Sequence, residues 1–217
     1  MPAAHPLIEQ FVIAQNIPLE SVVLLLLFPI IATLVAFFRQ IVGIKAFGIY
    51  TPSLIIFSFL AIGLKYGVSI YIGVIVIGML SRFLLKKLRI LYLSRVAITL
   101  SIISFAFLGL LIIGAMIQRT GFASISIVPL LIMIVITEKF IAAQIEKDTK
   151  TALLMAGQTL IVSLAVFYIV SWSTLINLLL SHPWIPFLTI PINIILGKWS
   201  GLRITEYFRF RTIVGKE

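Results

Sequence analysis

The chain has 217 residues, 61% of them hydrophobic and 11% charged, with a formal net charge of +10 and a mean hydropathy of +1.21. A soluble domain of this length cannot bury so much apolar surface, so the composition predicts a polytopic membrane protein. The absence of cysteine excludes disulfides, iron–sulfur clusters, thiolate zinc sites and a cysteine nucleophile, and the two histidines, His5 and His182, are far apart in sequence and make a poor metal set.

Residues 1–18 are mildly polar, with Glu9 their only acidic residue and no Lys or Arg. No basic region precedes the first apolar run and no small-residue cleavage site follows it, so it reads as an uncleaved anchor rather than a secretory signal. Predicted spans follow at about 19–38, stopped by Arg39; at 51–64, opened by Thr51-Pro52; at 68–85, ended by Lys86-Lys87-Leu88-Arg89; and at 96–117. A fifth starts near Ser124 and is apolar to Ile136, with a helix expected to continue through Thr137-Glu138-Lys139-Phe140. The polar stretch 142–150 reads as a helical extension or turn, the sixth span as 151–172 and the seventh as 184–196, preceded by a short apolar piece at 175–180.

Seven spans put the two ends on opposite sides. With the N-terminus outside, the inner side holds Arg39, Lys45, Arg82, Lys86, Lys87, Arg89, Arg95, Lys139, Lys147, Lys150, Arg203 and Arg209, together with the other C-terminal cations, while the outer side holds Lys65 and Arg119. This asymmetry predicts an N-out, C-in orientation. It also explains the net positive charge without nucleic acid, and the 86–95 cluster suits anionic lipid headgroups.

The stretch RQIVGIKAFGIYTPSLII, residues 39–56, interrupts the apolar pattern. Thr is a good N-cap and Pro is favoured at the first helical position, so Thr51-Pro52 reads as a helix start. Two readings stay open. One is a cytoplasmic loop followed by a capped helix. The other is a segment broken inside the membrane, whose helix N-terminus faces an anion or substrate. Arg39, Gly43 and Pro52 after the first span are echoed by Arg119, Gly121 and Pro129 after the fourth. The echo suggests an inverted repeat of three plus three spans with a seventh helix added.

Glu138 follows an apolar run. A carboxylate at that depth is either paired and functional or solvated at the interface. In the tail, Arg203, Glu206 and Arg209 are three apart and would share one helix face. The tail reads as an amphipathic segment at the headgroups or as a docking site for a cytosolic partner. Arg89 and Arg95 could fork hydrogen bonds to a carboxylate or phosphate. No catalytic set, metal cluster or phosphate loop is legible, so neither an enzyme nor a cofactor is expected. The resulting organisation is a short outer segment at 1–18, an all-α membrane bundle at 19–202 and a basic amphipathic tail at 203–217.

Several stretches carry a family resemblance: FFRQIVGIKAFGIYTPSLI, SRFLLKKLRILYLSRVAITL, ITEKF with ALLMAGQTLIVSLAVFYIV, and HPW through ILGKWSGLRITEYFRFR. The last contains Gly-basic-x-x-Gly-x-Arg-x-x-Glu-x-x-Arg-Phe-Arg. Together they resemble the bacterial seven-transmembrane domain usually fused behind an inactive transglutaminase-like domain. A more distant likeness, in the Gly…Pro-x-Leu segment and the polar turn before the sixth span, is to the small membrane subunit of poly-gamma-glutamate synthase.

The resemblance implies a multi-pass protein of the bacterial cytoplasmic membrane, encoded beside an ATP-grasp ligase. Its role would be non-enzymatic, in synthesis, anchoring or export of an acidic peptide or amino-acid polymer. The first span begins near residue 19, so a transglutaminase-like domain is expected on a separate chain or not at all. Arg39, Lys45, Arg82, Arg89, Arg95, Arg203 and Arg209 would meet the product or partner, and segments starting at Pro52 and near Pro129 would line its path. A stand-alone small-metabolite transporter and a structural subunit of a larger homo- or hetero-oligomeric membrane complex are the alternatives.

Overall fold

A computed structural model describes residues 18–85, 91–116 and 127–199. Helix α1 (Leu19–Phe37) continues through a π-helical turn, Phe38–Val42. Then come α2 (Tyr50–Ile62), α3 (Leu64–Leu85), α4 (Tyr92–Met116), α5 (Ile127–Glu146), α6 (Thr149–Val170), α7 (Ser173–Ser181), a 3-10 turn (Ile185–Leu188) and α8 (Thr189–Gly197). The all-α membrane class predicted from composition is what the chain adopts. In hydrocarbon every backbone group must be satisfied within the segment, and helices achieve this.

Five described stretches are long and apolar enough to cross a membrane: Leu19–Val42, Leu64–Leu85, Tyr92–Gly109, Ile127–Glu146 and Thr149–Val170. The expected second span is shorter than a bilayer, because α2 has 13 residues and is roughly 20 Å long at 1.5 Å per residue. It starts at Tyr50, one residue earlier than expected, so Thr51 lies in the first turn and is not the cap. No loop follows it. Gly63 alone, at φ 82°, turns the chain in a conformation that only glycine adopts freely, and α3 begins at Leu64 rather than near Val68. The expected seventh span, 184–196, is the 3-10 turn followed by nine-residue α8. It is bent by 100° from α7, and the bent pair would count as a sixth crossing if taken as one span. Pro183 and Pro186 lie at the break, where a ring without an N–H cannot continue α7.

The extension beyond Phe140 is helical to Glu146. Lys147 and Asp148 turn the chain, and Asp148 caps α6 by accepting the Thr151 N–H at 3.2 Å. Asp148 is exposed. Hydrogen bonding with the Thr151 side chain and then its backbone, helped by the nearby Lys150 charge, holds its carboxyl below the ordinary range.

The chain divides into two compact units, with boundaries inside α2 and α6. In the unit built from described residues 18–53 and 160–199, α1 packs against α7, the 3-10 turn and α8. Pro29 lies inside the continuous α1, and Thr33 Oγ1 donates to the Pro29 carbonyl at 2.8 Å. Asn193 Nδ2 of α8 donates to Thr33 Oγ1 at 2.7 Å, which ties the two helices with a polar contact.

The unit at 54–159 is centred on α3, α4 and α5, each packed on the other two. Its core includes Ile70, Val74, Ile103, Phe107, Met133 and Phe140, all buried. Small residues permit the close approaches. A Cβ at Gly78 would lie 2.9 Å from Thr137 Cγ2, and one at Gly67 would run into the Phe59 ring. Large side chains such as Leu25, Phe83, Phe105, Leu154 and Ile195 point outward and are exposed, as expected of surfaces that face lipid.

Candidate functional site: a cationic helix cluster and a buried helix start

In the first unit, Gly43 at φ 88° ends the π-helical turn, and its N–H donates to the Phe38 carbonyl at 3.1 Å. The following residues are non-helical up to α2. They are not a solvated loop throughout, because Ala46 and Phe47 are buried, as are Thr51 and Ser53. Pro52 is buried too, and its carbonyl accepts from Ser163 Oγ at 3.4 Å. Covered, irregular backbone of this kind is the form tolerated at membrane depth. Arg39 is half-buried in the π-helical turn, and Lys45 is exposed.

In the second unit, three helices bring polar groups to one end of a shared packing surface. Arg82 is in the last turn of α3, one turn past Gly78 and therefore on the face that meets Thr137 of α5. Ser58 Oγ reaches the Pro129 carbonyl (3.5 Å), and Phe59 lies against Gly67. Pro129 is thus near the start of α3 and Thr137 near its later part, so α3 and α5 run in the same direction. Gln144, two turns past Thr137, is level with Leu85.

On α4, a Cβ at Gly73 would lie 3.8 Å from the Phe107 ring. Arg95 is twelve residues before Phe107 and Leu85 twelve residues after Gly73. Since α4 returns antiparallel to α3, Arg95 also comes to the Leu85 level. Arg82 and Arg95 are half-buried. Arg82 Nη1, Arg95 Nε, both amide atoms of Gln144 and Thr137 Oγ1 are buried without a hydrogen-bond partner.

Of the expected site residues, Arg82 and Arg95 therefore lie toward the same end of the α3–α4–α5 unit, and Thr51 and Pro52 are adjacent and buried in the first turn of α2. Glu138 is half-buried on α5, about 100° around the helix from Thr137. Arg89, Arg203, Glu206 and Arg209 lie outside the described residues. Pro129 opens a helix of 20 residues and Pro52 one of 13 residues, so the paired short segments expected of a repeat differ in length. Thr137 and Gln144 were not singled out by sequence reasoning. The signal available was their spacing of seven on a stripe with Phe140 and Ile141, which marks one helix face.

A family model described as seven transmembrane helices usually fused to an inactive transglutaminase matches residues 7–214. Comparison with curated proteins and with solved structures finds no match to this chain.

Proposed function

The chain belongs to the family of seven-transmembrane-helix domains usually fused to an inactive transglutaminase, and on that premise we propose that it is a non-enzymatic membrane subunit. It works with a cytosolic ATP-grasp ligase in the synthesis, anchoring or export of an acidic peptide or amino-acid polymer. Its membrane is the bacterial cytoplasmic membrane, with the N-terminus outside. The observation that supports the reading is the pair of cations, Arg82 and Arg95, that α3 and α4 carry toward one end of their packing with α5. Arg82 and Arg95 approach one level there, and an acidic chain is the product such a surface would hold.

A mild-detergent pull-down of the tagged chain from its own host, read by mass spectrometry, tests the partner. A near-stoichiometric ATP-grasp ligase is the expected result, and a chain that comes down alone sinks it. A second reading, a transporter of a small metabolite, is favoured by the covered irregular backbone before α2. Broken segments of this type form central sites in transporters. Recovery of the chain alone would move this reading ahead.

A further inference from the structure

Several buried hydroxyls among the described residues are satisfied within their own helix. Ser58, Ser81, Thr99 and Thr159 each donate to the carbonyl four residues earlier in the same helix, at 2.7–3.0 Å. That bond satisfies a hydroxyl inside hydrocarbon without help from another helix. Thr137 has no such bond. It is 0% exposed and Gln144 is 1% exposed, yet Thr137 Oγ1 and both Gln144 amide atoms have no partner. Unpaired buried polar groups are costly, and these two residues share one stripe of α5, where Thr137 faces Gly78 of α3. Counted along the helices, Arg82 of α3 falls between the Thr137 and Gln144 levels and Arg95 of α4 falls at the Gln144 level, each with a buried, unpartnered N–H.

The orphaned groups have a definite chemistry. Arg82 Nη1, Arg95 Nε and Gln144 Nε2 are donors, and Gln144 Oε1 is an acceptor, while Thr137 Oγ1 can do either. The chemistry that complements this set is an oxyanion for the guanidinium groups with an N–H donor beside it for the Gln144 carbonyl. We infer that Arg82, Arg95, Thr137 and Gln144 form a binding site for a carboxylate or phosphate that carries a neighbouring amine or amide N–H. An acidic peptide offers that pair of groups, and so does a phosphoethanolamine headgroup. The choice of a peptide as first source rests on the proposed function; the site itself rests on these four residues.

The test uses the full chain purified in mild detergent, with thermal unfolding and calorimetric titration as readouts. The probes are the dipeptide glutamyl-glutamate and a short-chain phosphatidylethanolamine. The expected result is a rise in Tm with the dipeptide that is lost in Arg82→Gln and in Gln144→Leu. Binding should weaken by roughly 10- to 100-fold, as for loss of a charge-assisted hydrogen bond. Gln144→Leu replaces the orphaned amide with an apolar group of similar size. Its Tm without probe should equal or exceed that of the parent, which separates loss of a site from loss of fold.

A rise with phosphatidylethanolamine alone, lost in the same variants, supports the site and overturns the peptide source. No rise with either probe, or a rise that survives both substitutions, overturns the site. Dipeptide binding by a chain that recovers no ligase would support the site while the partner reading falls.

Discussion

At Asp148 one carboxylate both ends a turn and starts a helix. Its Oδ1 accepts the Thr151 N–H, and hydrogen bonding with Thr151, through its side chain first and then its backbone, lowers the folded-state pKa from 3.8, the value for the free side chain. A lowered pKa stabilises the folded protein above the unfolded-state value, and that stability is lost as pH falls through the folded-state value. Asp148→Asn keeps an acceptor but cannot titrate, so its Tm should fall less steeply on acidification below pH 5 or so than that of the parent. Asp148→Ala should lower Tm throughout, since the cap is gone. Identical acid limbs for parent and Asp148→Asn, measured by thermal unfolding, would remove Asp148 as a source of pH dependence. At this scale the sequence was partly legible. The polar stretch at 142–150 marks a turn, but which of its polar residues is the cap depends on where α5 stops. Thr51 shows the reverse case: its residue type suits a cap, yet the helix starts one residue before it. Arg82 and Arg95 could be singled out because a cation in an apolar chain is conspicuous. Gln144 could not, because an amide beside Glu146 and Lys147 looks like part of a solvated turn until its burial is known.

Elements were legible as runs and much less so as faces. Spans of 20 or so apolar residues announce themselves, and α1, α3 and α6 fall close to where composition puts them. These helices are apolar all round, so no stripe of polar residues reveals which side meets protein and which meets lipid. Glycine supplies part of the missing information. At Gly78 the face toward α5 is fixed by Thr137 and Phe140, and at Gly67 by Phe59. Adding bulk at Gly78 should push α3 from α5, so Gly78→Val should destabilise the folded state by about 1–3 kcal/mol. Gly157→Ala, where a Cβ meets nothing within 4 Å, should be neutral or slightly stabilising. Unfolding in a graded detergent titration compares the two, and a Gly78→Val protein as stable as Gly157→Ala would contradict the close contact. The two pieces on either side of the break after α7 were legible as the apolar run 175–180 and the span 184–196, but the 100° bend between them was not, because an apolar pattern around Pro183 and Pro186 carries no angle.

For the whole molecule, the charge pattern is the strongest statement the sequence makes about orientation. Because the chain has no cysteine, single cysteines introduced at exposed Lys65 and Lys147 can be labelled without background. With the proposed N-out arrangement, a membrane-impermeant maleimide should label Lys65→Cys in intact cells and Lys147→Cys only after the membrane is opened. The opposite pattern would invert the orientation. The turn at Gly63 also bears on the lipid around the protein. It joins a helix of roughly 20 Å to one of roughly 33 Å at 1.5 Å per residue, and the hydrocarbon layer is about 30 Å thick. Both helices cannot match that layer from a common end. The discrepancy, roughly 10 Å at the short helix, has to be taken up by a local dimple of the bilayer, by tilt or by neighbouring side chains, at a modest elastic cost for each ångström. Membrane thickness then becomes a variable to which this protein responds, and the packing around α2 is where the response begins.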